Sequence, residues 1–329
     1  MVTLKEIARE VGVAVSTVSR ALNDHPHIDP ETRRRVLAVA ERRGYRPNTV
    51  ARALRRRRSR TIGVLIPDLL NHFYAACTTV LQEQFERQGY GMILAVTGND
   101  PRREQTALAQ MQSAQVDGIV LVPSARPKAR EAFDVPVVEM MRASGRPQVD
   151  SVQCAEDDGS ADVIDHLRSL GHERIAVIAG DPRFSNARER VAGARTALGE
   201  GGLPDHYLMA REHTPKWGAE ALRRLMELRP APTAVFASSG DLALGALSEA
   251  NRLGLDIPGQ LSLAAFGNTD WFETCRRPVT AFAHPLHEIG MITAQVLLSR
   301  LNGDSPAEPS RIRVEGRMIL RESTAPPPD

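Results

Sequence analysis

Hydrophobic residues in the first 45 positions recur at helical spacing. Leu4, Ile7, Ala8 and Val11 make one apolar stripe, and Val18, Ala21 and Leu22 repeat the i, i+3, i+4 interval. Thr3 followed by Glu6 predicts a capping box at the start of the first helix. Gly12 predicts a left-handed stop. Val15, Ser16, Thr17 and Arg20 fall off the apolar face of the second helix. A third helix is predicted from Asp29 as N-cap, through Pro30 and the apolar Val36, Leu37, Val39 and Ala40, to a stop at Gly44. One more short segment, Thr49 to Leu54, follows Tyr45-Arg46-Pro47-Asn48. Two short helices around a glycine corner also occur inside larger cores. With hydroxyl side chains and one arginine facing outward, this pair reads as a helix-turn-helix whose second helix enters the DNA major groove.

From residue 61 the pattern changes to short apolar runs separated by helical stretches. Thr61–Ile66, Met92–Val96 and Val116–Val122 read as buried strands, and Pro136-Val137-Val138 starts a fourth. Helices are predicted at Ala75–Gln88 and Glu104–Ala114. The alternation then restarts, with helices at Asp158–Leu170, Ala187–Leu198, Ala219–Leu228 and Asp241–Leu253. The strands of this second block are Ile175–Ala179, Ala234–Ala237 and Leu261–Phe266. A helix at Leu286–Leu301 and a strand at Ile312–Val314 follow. Alternation of this kind predicts parallel sheets covered on both faces, and two successive blocks predict two lobes with a ligand cleft between them. Residues 302–310 and 322–329 read as a loop and a frayed tail.

Charge sharpens the division. Residues 1–60 carry 14 Arg and 1 Lys against 4 Glu and 2 Asp, a net of +9, while the whole chain of 329 residues is +2. Residues 61–329 therefore net −7. A basic head on an acidic body suits a polyanionic partner bound through salt-sensitive phosphate contacts. The run Arg55 to Arg60 also reads as solvated linker. Cys77, Cys154 and Cys275 are odd in number and far apart, which argues against a disulfide framework or a metal site and predicts reduced thiols. No apolar run reaches the roughly 18 residues of a membrane span, and no signal peptide is evident, so a cytoplasmic protein is expected. Phosphate-binding glycine loops, a nucleophile elbow and a catalytic constellation are missing; His284 and His287 are three apart with no third metal ligand. No enzyme activity, cofactor or metal is expected.

The stretches Thr3-Leu4-Lys5-Glu6-Ile7-Ala8, Gly12-Val13, Thr17-Val18-Ser19-Arg20-Ala21-Leu22-Asn23 and Tyr45-Arg46-Pro47-Asn48 through Ala51-Arg52-Ala53-Leu54 resemble the lactose-repressor (LacI/GalR) family of bacterial transcription regulators. The body shares the resemblance at Val116-Asp117-Gly118-Ile119, Arg190-Val191-Ala192-Gly193, Pro232-Thr233-Ala234-Val235-Phe236 and Asp241 with Ala243-Leu244-Gly245-Ala246. The resemblance implies an all-α helix-turn-helix head (1–46), a hinge helix and linker (47–60), and an α/β body (61–329) like a periplasmic sugar-binding protein. Its lobes would comprise about 61–155 with 284–315, and about 156–283 with 316–329. It implies a homodimeric repressor on a near-palindromic operator, with DNA contacts at Thr3, Val15, Ser16, Thr17, Arg20, Asn23, Tyr45, Asn48, Ala51, Leu54 and Arg55. Leu54 from each subunit would wedge into the minor groove and kink the duplex. Ala14 departs from the family's serine and removes a helix cap, typically worth about 1 kcal/mol.

In the cleft, the resemblance implies an effector site at Asn71, Phe73, Phe184, Asn186, Arg190 and His213, with Arg190 as the clamp. Three family carboxylates are missing. Met141-Arg142 replaces an Asp-Arg pair, Ala155-Glu156 replaces Asp-Asn, and Gly267, followed by Asn268, replaces an Asp. A polyhydroxylated sugar would lose acceptors there. The expectation is a sugar-like or, more in keeping with these losses, an anionic metabolite, with Glu156, Asp157 or Asp158 as substitute carboxylates. The alternative is a ligand-independent regulator with a decayed cleft.

Overall fold

The computed structural model describes residues 2–22, 25–45, 59–124, 133–199 and 202–328. The expected hinge segment, and with it Asn48, Ala51, Leu54 and Arg55, lies outside the described residues, as does Asn23. The chain forms two compact units, residues 1–59 and 60–329.

In the first unit, α1 (Leu4–Val11), α2 (Val15–Leu22) and α3 (Pro30–Arg42) enclose a small core of Ile7, Ala8, Val11, Val18, Ala21, Val36 and Ala40. The capping box is formed: the Thr3 amide donates to Glu6 Oε2 at 2.8 Å, and the Glu6 amide donates back to Thr3 Oγ1. Gly12 ends α1 at φ 76°, where a side chain would be strained. Asp29 caps α3 by accepting from the Thr32 amide at 2.9 Å. Arg35 donates to the Val11 carbonyl at 2.7 Å, and Glu10 pairs with Arg42 and Arg43, so α3 is tied to the end of α1.

The second unit holds two six-stranded sheets. The first contains β1 (Thr61–Ile66), β2 (Gly91–Val96), β3 (Gly118–Leu121), β4 (Val137–Met140), β5 (Asp150–Cys154) and β11 (Arg311–Val314), in the order β11-β5-β4-β3-β1-β2. The second contains β6 (Ile175–Ala179), β7 (Leu208–Ala210), β8 (Ala234–Ala237), β9 (Ser262–Phe266), β10 (Thr280–Ala283) and β12 (Arg317–Ile319), in the order β12-β10-β9-β8-β6-β7. Every pair is parallel except β10 with β12. The helices α4 (His72–Arg87), α5 (Pro101–Ser113) and α11 (Leu286–Asn302) pack on the first sheet. The second is covered by α6 (Glu156–Ser169), α7 (Ser185–Leu198), α8 (Pro215–Glu227) and α9 (Gly240–Leu253); a single turn, α10 (Trp271–Thr274), precedes β10. The chain passes between the sheets three times, at 155, 284–285 and 315–316.

Close helix pairs need glycine. A Cβ on Gly193 would lie 2.0 Å from the Asp157 carbonyl oxygen, and one on Gly245 would lie 1.9 Å from that of Pro215. Both glycines belong to stretches that carried the family resemblance.

Three expectations are corrected. Most helices begin earlier than their apolar spacing suggested: α4 at His72, α5 at Pro101, α6 at Glu156 and α8 at Pro215. Their first turns are polar or capped, so apolar periodicity starts late there. The strands β5, β7, β10 and β12 were not anticipated; β5 reads Asp-Ser-Val-Gln-Cys and offers no apolar run. The C-terminal stretch is not frayed. Ser323 is fully buried, accepts from the Thr280 amide at 2.8 Å and donates to the Leu263 carbonyl at 2.5 Å. The Ala325 carbonyl accepts from His172 at 2.8 Å and from the Ser262 hydroxyl at 3.0 Å. This polar seam satisfies backbone groups beside β9 that would otherwise be buried without partners.

Candidate functional site

On α2 the buried side chains are Val18 and Ala21, and the opposite face carries Val15, Ser16 and Arg20, all exposed, with Thr17 half-buried. The Arg20 side chain has no hydrogen bond or ion pair among the described residues. Its guanidinium is therefore free to offer two parallel donors to guanine O6 and N7, and Val15 is free to meet a thymine methyl. Ala14 begins α2 with its carbonyl alone, accepting from Thr17 and Val18 amides at 2.9 and 3.1 Å. Thr3 is committed to the capping box and Tyr45 packs on the head core, so these two shape the face as well as border it.

In the second unit a cleft of about 460 Å³ lies between the ends of the two sheets. Asn71, Phe73, Asn186, Arg190 and His213 line it. Phe184 does not; it is buried behind the wall, with the Arg142 guanidinium 4.0 Å from its ring centre. Asn71 caps α4 by accepting from the Phe73 amide and donates at 3.2 Å to Asp241 at the start of α9, bridging the two sheets' helices.

Arg190 is anchored by the protein itself. Its Nε donates to Glu156 Oε2 at 2.6 Å and Nη1 donates to the Ser238 carbonyl at 2.5 Å. Nη2 lies 3.2 Å from His284 Nε2, and the guanidinium lies 4.2 Å from the Phe266 ring centre. Burial pushes the Glu156 carboxyl up, but Arg190 and His284 outweigh it and leave it lowered to about 2. Burial lowers His284 to about 4 against the pull of Glu156. His213 falls to about 3, through burial and then the charges of Arg190 and Arg142. Both imidazoles are thus neutral near pH 7. Cys154, Glu156 and His284 come within 4.8 Å of one another, but Arg190 already occupies the carboxylate.

The cleft also takes in Asn99, Asp241, Phe266, Trp271 and His284, which the sequence did not point to, together with Arg142 of the Met141-Arg142 pair. Glu156, read as a substitute carboxylate, is the partner of Arg190. Four cleft residues hold buried polar atoms with no partner: Arg142 Nε, His213 Nε2, Thr269 Oγ1 and His284 Nδ1. These atoms have no protein partner among the described residues and are available to hydrogen-bond solvent or a ligand in the cleft.

An outward-facing helix in a basic three-helix unit, followed by a two-sheet body with a polar cleft, has the parts of a DNA-binding regulator. Residues 3–48 match the bacterial regulatory proteins of the lacI family, and residues 164–324 match a periplasmic binding protein-like domain. The chain is 33% identical to catabolite control protein A of Priestia megaterium over 98% of this chain and 99% of that one. It is 31% identical to the HTH-type transcriptional repressor CytR of Escherichia coli K12 over 98% and 96%. A solved Lac repressor dimer, bound to operator and the anti-inducer ONPF, matches at 23% identity with a TM-score of 0.88 over 98% of this chain and 99% of that one, a likeness of fold. The chain belongs to the lacI family of bacterial transcription regulators.

Proposed function

We propose that the protein is a homodimeric transcriptional repressor that reads a near-palindromic operator and is controlled by a small molecule in the cleft. The observation that carries the reading is the division of α2: Val18 and Ala21 hold it to the head core, while Val15, Ser16 and Arg20, whose side chain has no partner among the described residues, are presented outward. Val15, Ser16, Thr17 and Arg20 read base edges; Thr3, Asn23, Tyr45, Asn48 and Arg55 border the backbone. Ala51 and Leu54 of the hinge meet their counterparts in a second subunit, with Leu54 as the minor-groove wedge.

The lobe of about 61–155 and 284–315 lies next to the DNA. An effector shifts the balance between two lobe arrangements and so the spacing at which two hinges can pair. Asn71, Phe73, Asn186, Arg190 and His213 form the effector wall, with Phe184 supporting it. The unmatched polar atoms around the cleft favour a working site over a decayed one.

Gel shifts on the promoter of the protein's own gene test the reading. A specific complex that weakens steeply with salt is expected, binding about a thousandfold more tightly than scrambled DNA. Equal affinity for both would refute the repressor.

A further inference from the structure

Two arginines reach the cleft, and among the described residues only one is paired with a carboxylate. Arg190 is neutralised by Glu156. Arg142 is just as buried, at 4% exposure, and no carboxylate pairs with it among the described residues. Its direct partners are neutral: Nη1 donates to Asn99 Oδ1 at 2.7 Å and reaches the Pro123 carbonyl at 3.4 Å, its face stacks on Phe184, and the Tyr74 hydroxyl is a further hydrogen-bonding neighbour, while the Glu156 charge, already paired with Arg190, acts on it only through space. Its Nε has no acceptor. A buried charge without a partner is costly, and the protein holds it in place against a cavity wall. A neutral hydroxyl could accept a hydrogen bond there but would leave the charge uncompensated. A carboxylate or phosphate does both, and the guanidinium fork matches its geometry.

The same cleft carries Asp68 and Asp241, and Asp241 is raised by burial and then by Asp68.

We infer that the cleft takes an anionic metabolite of sugar size, with one carboxylate or phosphate seated on Arg142. Resting on the effector reading above, this replaces Arg190 with Arg142 as the ligand's charge partner. Arg190 is a structural cation that positions the wall.

Thermal unfolding of the full chain without ligand gives the first test, because the two arginines should respond differently. Arg190→Met strands Glu156 and should lower the transition by roughly 5–10 °C. Arg142→Met removes an uncompensated charge and should unfold at the wild-type temperature or above. An Arg142→Met loss as large as that of Arg190→Met overturns the proposal.

Sulfate against chloride at matched ionic strength gives the second test. It should stabilise wild type more than Arg142→Met, and equal shifts overturn the proposal. Glucose, glucuronate and glucose 6-phosphate are then compared for binding and for release of operator DNA. Glucuronate favours a carboxylate and glucose 6-phosphate a phosphate. Release by glucose alone would sink the anionic ligand while keeping the effector reading, whereas failure to bind any operator would sink the regulator and leave the Arg142 result standing.

Discussion

The outward side chains of α2 lie within six residues of one another, and the helix that presents them is anchored by its own Val18 and Ala21 in a core shared with Ile7, Ala8, Val11, Val36 and Ala40. The cleft draws Arg142, Arg190, Asp241 and His284 from elements far apart in the chain, and most of its chemistry is buried. An exposed face of this kind can change a contact without disturbing the fold, because the Arg20 side chain has no partner among the described residues. A buried sensor cannot, because Arg190, Glu156 and His284 hold the walls as well as shape them. In the head, recognition and stability are separable; in the cleft they are coupled.

Glu156→Gln should break that coupling most severely. It leaves Arg190 charged and buried without its carboxylate, at a cost of about 3–5 kcal/mol. Denaturant unfolding of the body should show the full loss while the head keeps its helical signal. An unchanged midpoint would mean that Arg190 is compensated elsewhere.

Acid is the next largest lever. His213 and His284 are neutral when folded, with values lowered to about 3 and about 4, and protonate near 6.5 when unfolded. Between those values the unfolded chain binds more protons, so stability falls as pH drops below about 6.5, by up to about 1.4 kcal/mol per pH unit for each histidine. The loss continues until the folded values are reached. Glu156, lowered to about 2 when folded, adds a loss in the same direction below its unfolded value of 4.5. Unfolding midpoints from pH 7 to pH 5 should decline, and His213→Gln should flatten the decline. A flat wild-type profile would mean that the imidazoles are solvated.

Arg20→Ala should have the smallest effect on free energy and the clearest separation. Specific operator binding should weaken by about 1–3 kcal/mol, roughly ten- to hundredfold, with the unfolding midpoint unmoved. A shifted midpoint would blur the contrast between head and cleft.

The same contrast explains what the sequence disclosed. Thr3 with Glu6, Gly12 and Asp29 set the head's boundaries through hydrogen bonds within four residues, so the head could be read directly. The parallel sheets were legible wherever a strand was a continuous apolar run, as at Ile175–Ala179. β5 and β12 were not, because their strand character comes from pairing with β4, β11 and β10. Arg190 was found from its family position, but its partner depended on α6 beginning at Glu156. The stray positive charge of Arg142 is visible only once Asn99, Pro123 and Phe184 are seen around it. The docking of Ser323 to Ala325 likewise rests on the distant Leu263, Thr280 and His172.

The three short passages between the sheets also set the mechanics of the body. Tethers of one or two residues, side by side, resist sliding and leave bending about their common line as the soft motion. Glu156 follows the first tether and His284 lies in the second, and Arg190 touches both. The guanidinium therefore works like a pin through two leaves of a hinge. Tightening or loosening it changes the stiffness of the joint without lengthening any strand.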